Sequence, residues 1–150
     1  MTTTLKGQDV AQAIERGVPS AVEASSEREV YVKPSEVLKV AWFVKNDPAL
    51  RLEYLNSLTA VDYIDYFEVV YHLTSLKHNH RAVLKAKVYG RESLSLPSVV
   101  AVWQGADFQE REVWDLMGVG FEGHPNMKRI MLWEGFDGHP LRRDYLPKVR

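Results

Sequence analysis

Phe67-Glu68-Val69-Val70-Tyr71-His72-Leu73-Thr74-Ser75 and, after a five-residue link, Arg81-Ala82-Val83-Leu84-Lys85-Ala86-Lys87-Val88-Tyr89 are the stretches that decide the fold. In the first, Phe67, Val69, Tyr71 and Leu73 alternate with Glu68, Val70, His72 and Thr74. In the second, Ala82, Leu84, Ala86 and Val88 alternate with Arg81, Val83, Lys85 and Lys87. A period of two sends successive side chains to opposite faces of a sheet, so both segments are predicted strands. The polar link 76–80 suits a hairpin loop and makes the pair antiparallel.

On the N-terminal side of this pair, segment 7–17 puts Val10, Ala13 and Ile14 on one helical face, and Gly17 followed by Val18-Pro19 stops it. Segments 18–24 and 29–32 suit two strands joined by a tight link at 25–27. Segment 34–46 carries Val37, Leu38, Ala41, Trp42 and Val44 on a broad apolar arc, with Pro34 tolerated in the first turn. Segment 52–63 predicts a short helical turn and then a strand near 58–62. On the C-terminal side, segments 98–103 and 107–118 predict helices. Beyond Gly118 glycine and proline are frequent and no period persists, which predicts an arm of turns. The expected architecture is α+β in two layers: helices packed on one mostly antiparallel or mixed sheet, with an irregular C-terminal arm. Residues 1–117 are expected to form the α+β part and 118–150 the extended arm of a single domain.

Composition narrows the chemistry. A length of 150 residues suits one domain with its own core. The net charge of -1 argues against a nucleic-acid binder, which needs a clustered basic face. There is no cysteine, which removes thiol nucleophiles, disulfides, sulfur-ligated zinc and the usual ligands of an iron–sulfur cluster. No segment approaches the ~18 apolar residues of a membrane span, and residues 1–7 lack the pattern of a secretory signal. Neither dinucleotide-binding nor phosphate-binding glycine loops occur, nor does a serine elbow.

On a helical wheel for 107–117, Val113, Trp114, Leu116 and Met117 share an apolar arc. Arg111, Glu112 and Asp115 lie opposite, and Arg111 with Asp115 suits an i,i+4 surface pair. Glu110 falls inside the apolar arc, where a carboxylate is costly unless exposed, paired or hydrogen-bonded. It either reaches solvent and caps backbone amides, or pairs with Arg142 or Arg143 of the arm; a lone general acid is the sharper alternative. The arm contains an echo: Gly120-Phe121-Glu122-Gly123-His124-Pro125 returns as Gly135-Phe136-Asp137-Gly138-His139-Pro140. His124 and His139 suit local hydrogen bonds in stiff turns. The alternative, a small metal-dependent hydrolase using His124 and His139, would need a third ligand from His72, His78 or His80. From 126 onward six basic residues, Lys128, Arg129, Arg142, Arg143, Lys148 and Arg150, face three acids, Glu134, Asp137 and Asp144. That imbalance predicts a strap against an acidic neighbour. The run Ile130-Met131-Leu132-Trp133 predicts burial, on the core or in a partner.

Glu110-Arg111-Glu112-Val113-Trp114-Asp115-Leu116-Met117-Gly118, with Gly123-His124-Pro125 and Lys128-Arg129-Ile130-Met131, resembles the signature of the complex I 30 kDa subunit family, found in NADH:quinone oxidoreductases. The segments 57–63, 67–73 and 97–99, and Gly138-His139-Pro140-Leu141-Arg142-Arg143-Asp144-Tyr145, follow in family order, so the resemblance covers about residues 34–147. It implies a scaffold subunit of a proton-translocating peripheral arm that packs against the 49 kDa-type quinone-site subunit near iron–sulfur subunits. It implies no cofactor on this chain, with NAD, FMN, iron–sulfur clusters and quinone on neighbours. It also implies a peripheral position on the cytoplasmic face of the cell membrane, reached through the complex alone. Glu110, Arg111, Glu112, Asp115, His124, Lys128, Arg129, His139, Arg142, Arg143 and Asp144 are its interface or signature candidates. Three features depart from the pattern: Met117 replaces a common aromatic, Asp107-Phe108 replaces a frequent Asn-Trp, and the sequence ends soon after Tyr145. They admit a complex driven by ferredoxin or reduced deazaflavin, or a membrane-bound energy-converting hydrogenase.

Overall fold

The two alternating stretches pair in full register, from Tyr66 opposite Tyr89 to Ser75 opposite His80. The computed structural model describes residues 1–148. Its elements are β1 (Thr3–Thr4), α1 (Gly7–Gly17), β2 (Val22–Ser25), β3 (Glu29–Val32), α2 (Val37–Asn46), β4 (Tyr54–Asp62), β5 (Tyr66–Ser75), β6 (His80–Tyr89), β7 (Ser95–Pro97), α3 (Ala106–Met117) and β8 (Gly120–Glu122). A 3-10 turn, Pro34–Glu36, leads into α2. The main sheet runs β2-β3-β6-β5-β4, with β1 added to β6. β3 and β1 lie parallel to β6 and the other pairs are antiparallel, so the sheet is mixed. This is the α+β fold that the alternation and helical wheels predict.

The core forms where the apolar sets meet. Phe67, Val69, Tyr71 and Leu73 of β5 and Ala82, Leu84, Ala86 and Val88 of β6 are buried together with Val10 and Ile14 of α1 and Val40 and Val44 of α2. Each fully buried large side chain contributes about 1.5–3 kcal/mol.

Three local expectations are corrected. Segment 52–63 contains no helical turn; β4 runs from Tyr54 with a register shift between Leu55 and Ser57. The extra residue of that bulge lets Leu55 and Leu58 both face the core. Their spacing of three therefore imitates a helix in a segment that is a strand. Segment 98–103 is a single turn, with the Val102 and Trp103 amides donating to the Val99 carbonyl, rather than a helix. The first hairpin strand begins at Val22, not Val18. In the arm, β8 pairs in parallel with β7, three residues against three, too short for any period to reveal.

Candidate functional site

The signature helix α3 is the centre of the candidate site, and its two buried carboxylates have opposite surroundings. Glu110 and Asp115 both have no exposed surface. Asp115 lies five residues further on, against the arm. Its Oδ2 accepts the backbone N–H groups of Ile130, Met131 and Leu132 at 3.1, 2.7 and 3.0 Å. Its Oδ1 accepts Arg129 Nη1 at 2.8 Å. Burial pushes this carboxyl up, but Arg129 and the three amides more than offset that and hold it below the usual range.

The same turn of helix gives the arm its carbonyls. Asp115 O accepts both Arg129 Nη1 and His139 Nδ1, and Leu116 O accepts the Leu141 N–H. A helix leaves its last carbonyls without partners and carries partial negative charge there. Here the arm supplies those partners, two of them from basic side chains. Gly118 caps the helix with φ +77, and a Cβ there would stand 2.7 Å from the His139 ring. Only glycine permits both the left-handed backbone and that close approach.

Arg129 ties the arm to itself as well. Its Nη2 donates to Phe136 O and Gly138 O, and its guanidinium lies 5.4 Å from the Trp114 ring centroid and 5.8 Å from that of Phe136. Arg111 does not pair with Asp115. It is buried, and it donates to Lys128 O and Arg129 O. The expected surface pair fails because the arm covers this face of α3.

The echoed motif has a tertiary meaning. Gly123 and Gly138 adopt φ +82 and +95. His124 Nε2 reaches Asp107 O at 3.0 Å in the first turn of α3, while its Nδ1 accepts the Asn126 N–H. His139 reaches Asp115 in the last turn. The two copies thus hold opposite ends of one helix, about 12 Å apart along its axis. Among the described residues no group of three His, Cys, Asp or Glu side chains could hold a metal.

Glu110 meets neither Arg142 nor Arg143. Its oxygens accept Ser98 Oγ at 2.6 Å and the Val99 N–H at 2.8 Å, so it fastens the 98–103 turn to α3. Burial raises its pKa against those two hydrogen bonds. The Tyr71 hydroxyl is buried without a hydrogen-bond partner, and burial and the Glu110 charge push that phenol up.

A second clasp has no counterpart in the sequence patterns. Asp62 is held by Arg91 through two hydrogen bonds of 2.6 and 2.8 Å, by the Arg143 N–H at 2.9 Å and by the Ile64 N–H at 2.8 Å. Asp144 bridges Arg91 and Arg142, Arg142 also donates to Arg91 O, and both guanidiniums lie near the Phe67 ring. Arg91 and burial act in opposite senses on Asp62, and with the two amides Arg91 holds its carboxyl far below the usual range. A depressed carboxyl contributes stability above its unfolded pKa and loses it as pH falls through the folded value. Asp62→Asn is therefore expected to be less stable than the parent at pH 7, with the gap closing as pH falls below about 4. Urea unfolding at pH 7 and pH 3 measures this; an equal gap at both would remove the ionised Asp62 from the account.

The arm's positive excess is thus largely internal: Arg129 meets Asp115, Arg142 meets Asp144 and Lys148 meets Asp137. Lys128, Arg143 and Glu112 remain exposed, and Arg150 lies outside the described residues. The apolar run of the arm is not folded into this chain's core. Met131 and Trp133 are about two-thirds exposed (64% and 65%), Ile130 less so. The backbone amides of Ile130, Met131 and Leu132 face Asp115, while the Met131 and Trp133 side chains face outward.

A sequence model of the family described as "Respiratory-chain NADH dehydrogenase, 30 Kd subunit" matches residues 30–149. An NADH-quinone oxidoreductase subunit of Roseiflexus castenholzii is 41% identical over 147 residues, 93% of this chain and 84% of that protein. The mitochondrial NADH-ubiquinone oxidoreductase 30.4 kDa subunit of Neurospora crassa is 44% identical over 119 residues, 77% of this chain and 41% of that protein. Among solved structures, a chain of the membrane-bound sulfane sulfur reductase, an archaeal respiratory membrane complex, superposes with a TM-score of 0.70 at 27% identity, covering 92% of this chain and 84% of that one.

Proposed function

Because this chain belongs to the 30 kDa subunit family of respiratory-chain NADH dehydrogenase, we propose that within its NADH-quinone oxidoreductase complex it acts as a scaffold. It carries out no chemistry of its own and holds no cofactor. Its arm packs against the 49 kDa-type quinone-site subunit, beside iron–sulfur subunits that carry the electrons, and the chain meets the cytoplasmic face of the membrane only through the complex.

The observation that carries this reading is the use of the arm's backbone. Asp115 takes three successive amides of the arm, and Arg111, Arg129 and His139 take or give the bonds around them. The arm is therefore folded before any partner arrives, and Met131, Trp133, Leu141 and Leu146 stand exposed on it. A rigid turn bearing large apolar side chains loses little conformational entropy when a partner covers it. No described helix is long and apolar enough to cross a membrane.

Affinity isolation of the tagged chain from gently solubilised native membranes tests this. The parent is expected to bring down a 49 kDa-type subunit with iron–sulfur subunits. Met131→Asp with Leu141→Asp is expected to lower that recovery by about tenfold or more, while the isolated variant keeps its unfolding midpoint, since both side chains are exposed. Unchanged recovery would remove the arm from the interface. Arg143→Glu tests surface charge, whereas Arg142→Glu disturbs the clasp with Arg91 and Asp144. A second reading, a related complex with a donor such as ferredoxin or reduced deazaflavin, or a membrane-bound hydrogenase, draws on the likeness to the sulfane sulfur reductase chain. The donor-side subunits recovered in the same isolation decide between the readings.

A further inference from the structure

The sheet face that carries Tyr66, Glu68, Val70 and His72 points away from the apolar set packed with α1 and α2. It bears a stripe of tyrosines. Tyr63 and Tyr66 have ring centroids 5.3 Å apart, and so do Tyr66 and Tyr89. Lys87 Nζ sits 4.9 Å from the Tyr66 ring centroid and 5.0 Å from that of Tyr31. The stripe thus crosses β5, β6 and β3, and its outer end is exposed: Tyr89 is 65% exposed and Ile64 58%.

Two lysines two residues apart on this face differ in their partners. Lys85 donates to Glu29 at 2.9 Å and to Glu68 at 3.0 Å, so its charge is met twice over within the chain. Lys87 meets no carboxylate within 4.0 Å among the described residues and has tyrosine rings on two sides. The hairpin tip beside it is held out at a conformational cost. Ile64 is β-branched yet has φ +73, fixed there by its N–H on Asp62 and by Arg91 on its carbonyl.

We propose that this stripe, Tyr31, Tyr66 and Tyr89 around Lys87 with the Ile64 tip, is a second interaction surface that receives a carboxylate-bearing segment of a neighbouring subunit. The proposal rests on the reading that the chain works inside a multisubunit complex. Tyrosine offers large contact area with little side-chain entropy to lose, which is why interface cores favour it. A covering partner would desolvate Lys87, and a desolvated ammonium needs an opposite charge. The carboxylates of Glu29, Glu68 and Asp65 on or beside the face disfavour a polyanion such as nucleic acid. One unpaired lysine is too few for an anionic lipid surface.

The test is site-specific photo-crosslinking in the assembled complex, with p-benzoylphenylalanine at position 89 and, separately, at position 133 in the arm. Position 89 is expected to capture a peptide of another subunit that contains Asp or Glu. Lys87→Glu, and Lys87→Met which keeps the stem over the rings, are each expected to reduce that capture about tenfold or more while leaving capture at 133 unchanged. Capture at 133 with none at 89 overturns this inference and spares the arm interface. So does capture at 89 of lipid or of a second copy of this chain, or a yield indifferent to both Lys87 variants. Failure at both positions overturns the assembly reading and this one together.

Discussion

Asp115→Ala is expected to release the C-terminal arm and to destabilise the chain by about 3–5 kcal/mol, the cost of breaking a buried, hydrogen-bonded charge pair. The substitution leaves Arg129 Nη1 with the Asp115 backbone carbonyl but no carboxylate, and strands the amides of Ile130, Met131 and Leu132. Hydrogen bonds to a charged acceptor are worth more than neutral ones, and three converge on a single oxygen here. Arg129 is only slightly exposed, so solvent screening removes little of the effect. Trypsin reads the outcome directly, because Lys128 and Arg129 stand at the root of the released segment. Cleavage there is expected to accelerate by about a hundredfold or more when the local opening equilibrium shifts by this amount. Asp115→Asn keeps one acceptor oxygen and loses the charge, so it should fall between. Unchanged cleavage and an unchanged urea midpoint in Asp115→Ala would mean that the arm is held by its contacts on the Trp114 ring, from His139 and Arg129.

The second large effect belongs to Glu110. Glu110→Ala leaves the Ser98 O–H without an acceptor and the Val99 N–H unpaired, where Glu110 itself has no exposed surface. With about 1–3 kcal/mol for each stranded group, the expected loss is roughly 2–6 kcal/mol. Its pH behaviour has a definite sign. The folded pKa lies above the unfolded one, with burial the larger cause. Stability from this group is therefore complete below about pH 4.3, the unfolded value, and declines as pH rises through the folded value. Glu110→Gln removes the titration and retains a neutral acceptor. Urea unfolding at pH 4 and pH 8 should show the parent losing more stability across that interval than Glu110→Gln. Equal losses would show that Glu110 ionises without penalty. Asp115 and Asp62 act in the opposite sense, since both are held ionised in the fold and weaken it on the acid side.

Local pattern and tertiary context divide cleanly at α3. The wheel marks Glu110 as out of place on the apolar arc, and that is correct: it lies wholly buried. Its partners, however, come from Ser98 and Val99, twelve and eleven residues upstream. A turn misread as helix hides them, because Val99 and Val102 share a helical spacing. The wheel also assigns Arg111 and Asp115 to solvent, since it supposes that one face of a helix is covered. The arm covers the other. Asp62 ends β4 and Arg91 lies two residues past β6, with no periodic signal at all, and their union depends on β5 pairing with both strands.

Reading along the chain is enough to establish the paired strands, the span of α1, the α+β class and, through the 110–118 signature with its following histidine and basic motifs, the family. Those features are legible because periodicity, turn residues and a contiguous motif are properties of neighbouring positions. What the charged residues of that motif do is settled only in the folded chain. A buried carboxylate is tolerable only when donors converge on it, and for Asp115 those donors are the backbone amides of residues fifteen to seventeen positions away. Main-chain N–H groups are the same at every residue but proline, so no side-chain pattern can announce which of them will arrive.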